Sequence, residues 1–105
     1  MTNLACSIEK YFDIPSKHKT LLYIDKLLIT KKPENVILLV VDGLGSKIID
    51  KILNKNDFLI KNRKKEIFSV FPPTTAACLS SIKIGLNPFE HGWLGWTSFV
   101  NQLIK

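Results

Sequence analysis

The stretch Val36-Ile37-Leu38-Leu39-Val40-Val41-Asp42-Gly43-Leu44-Gly45 decides how the rest of the chain is read. Six apolar residues, three of them Val, end on a carboxylate and two spaced glycines. The run is short, rich in β-branched residues and apolar at every position. Burial on both faces is the mark of a central strand in a parallel sheet. A carboxylate just past such a strand projects into the crevice where open α/β sheets bind ligands. Asp42 is therefore a candidate ligand for a divalent cation, which takes a carboxylate oxygen. The alternative is a helix N-cap or a turn residue. Asp42 alone does not decide between them.

The segments on either side extend the pattern. Leu4, Ile8, Tyr11 and Phe12 share one side of a predicted helix over residues 3–12, broken by Asp13-Ile14-Pro15-Ser16. Leu21, Leu22, Ile24, Leu27 and Leu28 predict a second helix that ends before Pro33. After Gly45, the apolar positions Ile48, Ile49, Ile52 and Leu53 predict a helix from Ser46 to Leu53. Asn54-Lys55-Asn56-Asp57 closes it. Glu66 to Phe71 reads as another strand stopped by Pro72-Pro73. Ala76 to Ile82 reads as a small-residue helix, with Gly85 as its cap and Asn87-Pro88 as a turn. Strand, helix, strand, helix predicts an α/β layered fold. Residues 1–35 form an N-terminal helical segment and residues 36–105 an α/β domain.

Thr74 and Thr75 stand just past the second predicted strand, where a helix opens. Either can serve as a plain N-cap. A hydroxyl there can also act as a nucleophile toward phosphorus, because a helix N-terminus offers N–H groups and positive dipole character. A Thr hydroxyl needs activation, and a bound metal ion supplies it by lowering the hydroxyl pKa. Gly43-Leu44-Gly45 does not make a dinucleotide fingerprint. The third small residue would fall on Ile48, and an acidic residue precedes the first glycine. His91, inside Pro88-Phe89-Glu90-His91-Gly92, reads as a structural turn residue rather than a ligand. His18 sits in a Lys-rich loop. Trp93 and Trp96 read as packing beneath a Gly-rich loop, with base stacking as the alternative.

Bulk composition limits the classes further. The chain has 105 residues, 46% of them hydrophobic, enough to exclude a disordered tail. Lys and Arg number 15 against 9 Asp and Glu, a net charge of +6. All but Arg63 of the basic residues are Lys, and Ile and Asn are abundant too, so the excess reads as compositional bias. Only Lys61-Asn62-Arg63-Lys64-Lys65 clusters, and a solvated face explains it better than nucleic-acid binding. Cys6 and Cys78 lack CxxC partners and read as two free thiols in a reducing compartment. No apolar run approaches the roughly 20 residues of a membrane span, and no signal peptide is evident. The expectation is a cytoplasmic protein.

Taken together, two stretches resemble the alkaline phosphatase superfamily, and within it the type I phosphodiesterase/nucleotide pyrophosphatase branch. The first is Val36 to Gly45. The second runs Val70-Phe71-Pro72-Pro73-Thr74-Thr75-Ala76-Ala77 and then Gly85-Leu86-Asn87-Pro88-Phe89-Glu90-His91-Gly92-Trp93-Leu94-Gly95-Trp96. Family members carry a strand ending in Asp-Gly, an F-P-x-x-T stretch, a helix, and a G-L-x-P-x-x-H-G turn. The resemblance implies a three-layer α/β/α sandwich with a mainly parallel sheet. It implies that Asp42 is a metal ligand, and that Thr75, fifth from Phe71, is the nucleophile and also contacts a metal. Thr74 falls on a variable position, and His91 on a turn position outside the metal ligands. The implied cofactors are two divalent metal ions, normally zinc, about 4 Å apart. The implied substrate is a phosphate ester or nucleotide, hydrolysed through a phospho-threonine intermediate. The family's other ligands are Asp and His residues beyond the G-L-x-P-x-x-H-G turn, and here no Asp or His follows His91. The expectation is thus the amino-terminal portion of such a hydrolase, inactive by itself and offering only a partial metal site. The competing expectation is a small non-catalytic module that binds anions or nucleotides.

Overall fold

A computed structural model describes residues 1–97. Six helices follow one another: α1 (Thr2–Tyr11), α2 (Leu22–Lys31), α3 (Ser46–Ile52), α4 (Phe58–Asn62), α5 (Thr75–Ile84) and α6 (Pro88–His91). Among the described residues there is no β-strand. Residues 98–105, the tail of the segment 36–105 read from the sequence, lie outside the described residues.

The expected α/β/α sandwich with a mainly parallel sheet is therefore corrected: the described chain is helical. Both segments read as strands, Val36 to Val41 and Glu66 to Phe71, are irregular. A strand is defined by its neighbours, because its N–H and C=O groups pair across to another chain segment. Among the described residues neither segment is part of a strand ladder. Ile37 is 93% exposed, Leu39 81% and Phe68 90%, so the two-sided burial that the apolar pattern calls for is not met.

The chain divides into two compact units, residues 1–36 with 69 onward, and residues 37–68. The first unit contains α1, α2, α5 and α6. Helix α1 packs against both α2 and α5, and α5 against α6. Its buried side chains are Ala5, Cys6, Leu28, Ala76, Ala77 and Pro88, with Thr2, Ser7, Asp25 and Ser81. Most of these are small, so the core is built from close backbone approach more than from large apolar side chains. Ser7 is matched in both directions. The Ser7 hydroxyl accepts from the Leu21 N–H at 2.8 Å and donates to the Leu21 carbonyl at 3.4 Å. Tyr11 donates to the Pro33 carbonyl at 2.8 Å, tying the end of α1 to the exit from α2. Helix α2 stops where Lys32 turns left-handed, just before Pro33. Gly85 ends α5 in the same way, at φ +63°, and its N–H returns to the Ser81 carbonyl at 2.9 Å. A side chain at Gly85 would run into the Glu9 carboxylate at 2.5 Å, so the absence of a Cβ lets α1 and the end of α5 meet.

The second unit holds α3 and α4. None of its residues is buried. Its local ties are polar: Arg63 pairs with Asp50 at 2.8 Å, Ser46 donates to Glu66, and the Asn54 N–H donates to Asp57 at 2.7 Å. Helix α4 has no counterpart in the sequence reading; Asp57, read there as a helix stop, is instead its N-cap residue. Among the described residues no helix is long and apolar enough to cross a membrane.

Candidate functional site

The N-terminus of α5 is built by Pro72-Pro73-Thr74-Thr75. Pro73 lacks an N–H, and the Thr74 N–H turns back to the Pro72 carbonyl at 2.9 Å, setting the entry into the helix. Thr74 is the N-cap, with extended backbone at φ −90° and ψ 150°. Its hydroxyl is committed in both directions. It accepts from the Ala77 N–H at 3.2 Å and donates to the Leu94 carbonyl at 2.8 Å. The second bond fixes the loop after α6 onto the start of α5. A hydroxyl whose proton is already given to a carbonyl is poorly placed to attack a substrate.

Thr75 is the first residue of α5 and is half-buried. Its backbone N–H belongs to the opening turn of the helix, where N–H groups have no acceptor within the helix and the dipole is positive. Next to this terminus lies a cavity of about 280 Å³ lined by Phe71, Pro72, Pro88, Phe89, Gly92 and Leu94. Phe71 is 88% exposed and Phe89 95%, so two aromatic faces are available to a flat ligand. Neither Trp93 nor Trp96 lines this cavity. Leu94, between them, does, through the loop that Thr74 holds.

His91 has both ring nitrogens engaged. The Trp93 N–H donates to Nδ1 at 3.0 Å, and Nε2 meets the Ser81 hydroxyl at 3.0 Å. Because Nδ1 accepts, the neutral ring carries its proton on Nε2. The ring thereby pins the α6 turn to the fully buried Ser81 of α5.

His18 lies in the loop between α1 and α2 and contacts Glu90 of α6. Glu90 also pairs with Lys17 at 2.7 Å and accepts from the Asn87 N–H at 2.9 Å. The Lys17 ammonium, then the Asn87 N–H and His18, hold the Glu90 carboxyl down from 4.5 to about 2. No local pattern signals this cluster. Its members are some seventy residues apart, and only the packing of α1, α5 and α6 brings them together.

Asp42 belongs to the second unit, in an exposed Asp42-Gly43 turn with Gly43 at φ +71°. It is not the N-cap of α3, which is Gly45. Thr75 belongs to the first unit. Among the described residues no three His, Cys, Asp or Glu side chains come together to hold a metal ion. The described residues therefore do not fit a two-metal centre. Compared with protein-family models, with curated proteins and with solved structures, the chain matches none.

Proposed function

We propose that this chain carries the phosphoryl-accepting segment of a phosphate-ester hydrolase of the type I phosphodiesterase/nucleotide pyrophosphatase kind, with Thr75 as the nucleophile. One observation carries the reading. Thr75 is the first residue of α5, at the N-terminus of the helix, whereas Thr74 stands outside it as the N-cap. A phosphoryl group placed there meets N–H donors and the positive end of α5. The cavity beside it, with Phe71 and Phe89, suits the flat base of a nucleotide.

In the proposed reaction the Thr75 oxygen forms a bond to phosphorus and the bond to the leaving alcohol breaks. The Thr75 proton is lost, the leaving alkoxide takes up a proton, and water then cleaves the phospho-threonine. The metal ions of this enzyme class need ligands that the described residues do not supply, and Asp42 is the candidate contribution from this chain. With that set incomplete, the proposed segment is inactive by itself. A cytoplasmic setting accords with the two free thiols, Cys6 and Cys78.

The test is a titration with inorganic phosphate, and in parallel with vanadate, followed by amide shifts in NMR. The expected result is a saturable shift at Thr75, Ala76 and Ala77 that weakens in Thr75→Ala and persists in Thr75→Ser. Shifts that avoid the start of α5, or that are equal in all three proteins, would remove Thr75 from this role. The alternative of a non-catalytic anion-binding module predicts shifts at Lys61 to Lys65 instead.

A further inference from the structure

The apolar run at residues 36–41 has the side-chain pattern of a strand without its ladder. Among the described residues its backbone N–H and C=O groups make no hydrogen bond. Its side chains alternate in exposure. Ile37, Leu39 and Val41 are 93%, 81% and 54% exposed, while Leu38 and Val40 between them are 39% and 38% exposed. A period of two belongs to an extended chain, whose successive side chains leave opposite faces. Nothing in the proposed reaction uses this run.

An unpaired extended edge is a template for another chain. The composition of the run favours a second copy of itself. Its six residues include no charge, no Pro and no Gly, so two copies meet no like charge along it. The charges at its two ends then select the arrangement. Glu34 and Asp42 bracket the run. Parallel pairing in register sets Glu34 against Glu34 and Asp42 against Asp42, and like charges directly opposite are destabilising. Antiparallel pairing about a two-fold axis separates them. Residues opposite one another in an antiparallel pair share a face. Keeping Leu38 and Val40 of both copies on the more covered face therefore requires one residue to sit opposite itself on the axis. With Leu38 there, Glu34 faces Asp42. With Val40 there, Asp42 faces Leu38 inside the apolar run. With Leu39 there, Ile37 faces Val41, Leu38 faces Val40, and Asp42 falls at the end of the ladder opposite Val36.

We propose that the 36–41 run is a self-association surface, through which two copies of this chain pair as antiparallel strands about a two-fold axis at Leu39. The contact is isologous, each copy offering the same residues. Its drive is apolar, because each copy carries a net charge of +6 and net charge opposes association. Added salt screens that repulsion and strengthens the pairing, the reverse of a charge-driven interface. A two-stranded ribbon is marginal in water, so the pairing is concentration-dependent.

Sedimentation equilibrium of the full chain tests it, across micromolar to millimolar concentrations at low and high salt. The weight-average mass is expected to rise from 11.9 kDa toward twice that value, and at lower concentration in high salt. Leu39→Lys sets two ammonium groups opposite each other on the axis, at a largely exposed residue. It is expected to stay monomeric throughout with an unchanged circular dichroism spectrum. Phe58→Lys changes the net charge equally, at an exposed apolar residue outside the run, and is expected to associate like the parent. Disulfide trapping reads the register, in a Cys6→Ala, Cys78→Ser background that removes the two native thiols. Under oxidised glutathione Leu39→Cys is expected to cross-link to itself. Ile37→Cys and Val41→Cys are expected to cross-link only with each other, since like positions stand four residues, about 13 Å, apart along the ribbon. A monomer at every concentration and salt would overturn the proposal. Association that Leu39→Lys leaves intact, or that Phe58→Lys removes as well, would place the contact elsewhere and overturn it too. Self-cross-linking of Ile37→Cys as fast as that of Leu39→Cys would refute the antiparallel pairing about Leu39.

Discussion

Replacing Thr74 by Ala removes two hydrogen bonds at one stroke. The Ala77 N–H loses its cap at 3.2 Å, and the Leu94 carbonyl loses its donor at 2.8 Å. Loss of a Thr N-cap costs about 1 kcal/mol. The Leu94 bond is at an exposed residue, where water replaces the lost donor, so it adds at most about 0.5 kcal/mol. For a domain of this size the sum of about 1–1.5 kcal/mol lowers the melting temperature by roughly 5–10 °C. Thermal unfolding followed by far-ultraviolet circular dichroism measures it, with urea midpoints at an unchanged slope as a check. A second readout comes from the loop that Leu94 anchors. Trp93 and Trp96 flank Leu94, and they are the two tryptophans of the chain, so native-state fluorescence reports release of that loop. Thr74→Ser keeps the hydroxyl and is expected to restore both signals to near the parent values. If Thr74→Ala melts with the parent, the hydroxyl is not the cap. If Thr74→Ser is as unstable as Thr74→Ala, the effect comes from the methyl group, and the Thr74 hydroxyl is not what holds the start of α5.

Other consequences are as direct. Glu90 has its carboxyl held down to about 2, so it stabilises the fold fully above about 4.5 and loses this contribution as the pH falls through about 2. Urea midpoints between these limits should fall more shallowly in Glu90→Gln than in the parent, and parallel curves would refute the cluster. Gly85→Ala places a Cβ at φ +63° against the Glu9 carboxylate, and a loss of about 1–2 kcal/mol is expected by thermal unfolding. Glu9→Ala in that background should relieve the collision but not the backbone cost. His91→Leu strands the fully buried Ser81 hydroxyl and should cost about 1–3 kcal/mol, partly recovered by adding Ser81→Ala. Additive effects of those two changes, in a double-mutant cycle by urea unfolding, would show that the two residues do not act through their shared bond.

Helices α1, α2, α3 and α5 were legible, α4 was not, and the sheet read from the sequence is not formed among the described residues, for reasons that lie in particular residues. Gly85 and the Lys31-Lys32-Pro33 sequence mark helix ends by backbone chemistry that acts locally, and the structure ends α5 and α2 there. The 36–41 run carries a different kind of signal. Its apolar pattern states a demand for burial, and whether a strand forms depends on partners that no local pattern can supply. Of the candidate site, the position of Thr75 at a helix start follows from Pro72-Pro73 and was readable. The use of the Thr74 hydroxyl was not, because its acceptor is the Leu94 carbonyl, twenty residues away. The buried Oδ1 of Asp25 was likewise hidden. Its lack of a partner among the described residues depends on how Thr20 and Ser7 assign their own hydrogen bonds.

The pairing of α1 with α5 joins the two ends of the described chain across the whole of residues 37–68. In kinetic terms, α1 and α2 are neighbours that can associate early, while α5 must find its place by closing a long loop. In evolutionary terms, that loop is cheap to change. Closure entropy grows only with the logarithm of length, so halving the excursion changes it by about 0.6 kcal/mol. The segment bearing Asp42 is thus free to lengthen, shorten or acquire new partners while the helical unit bearing Thr75 keeps its own stability.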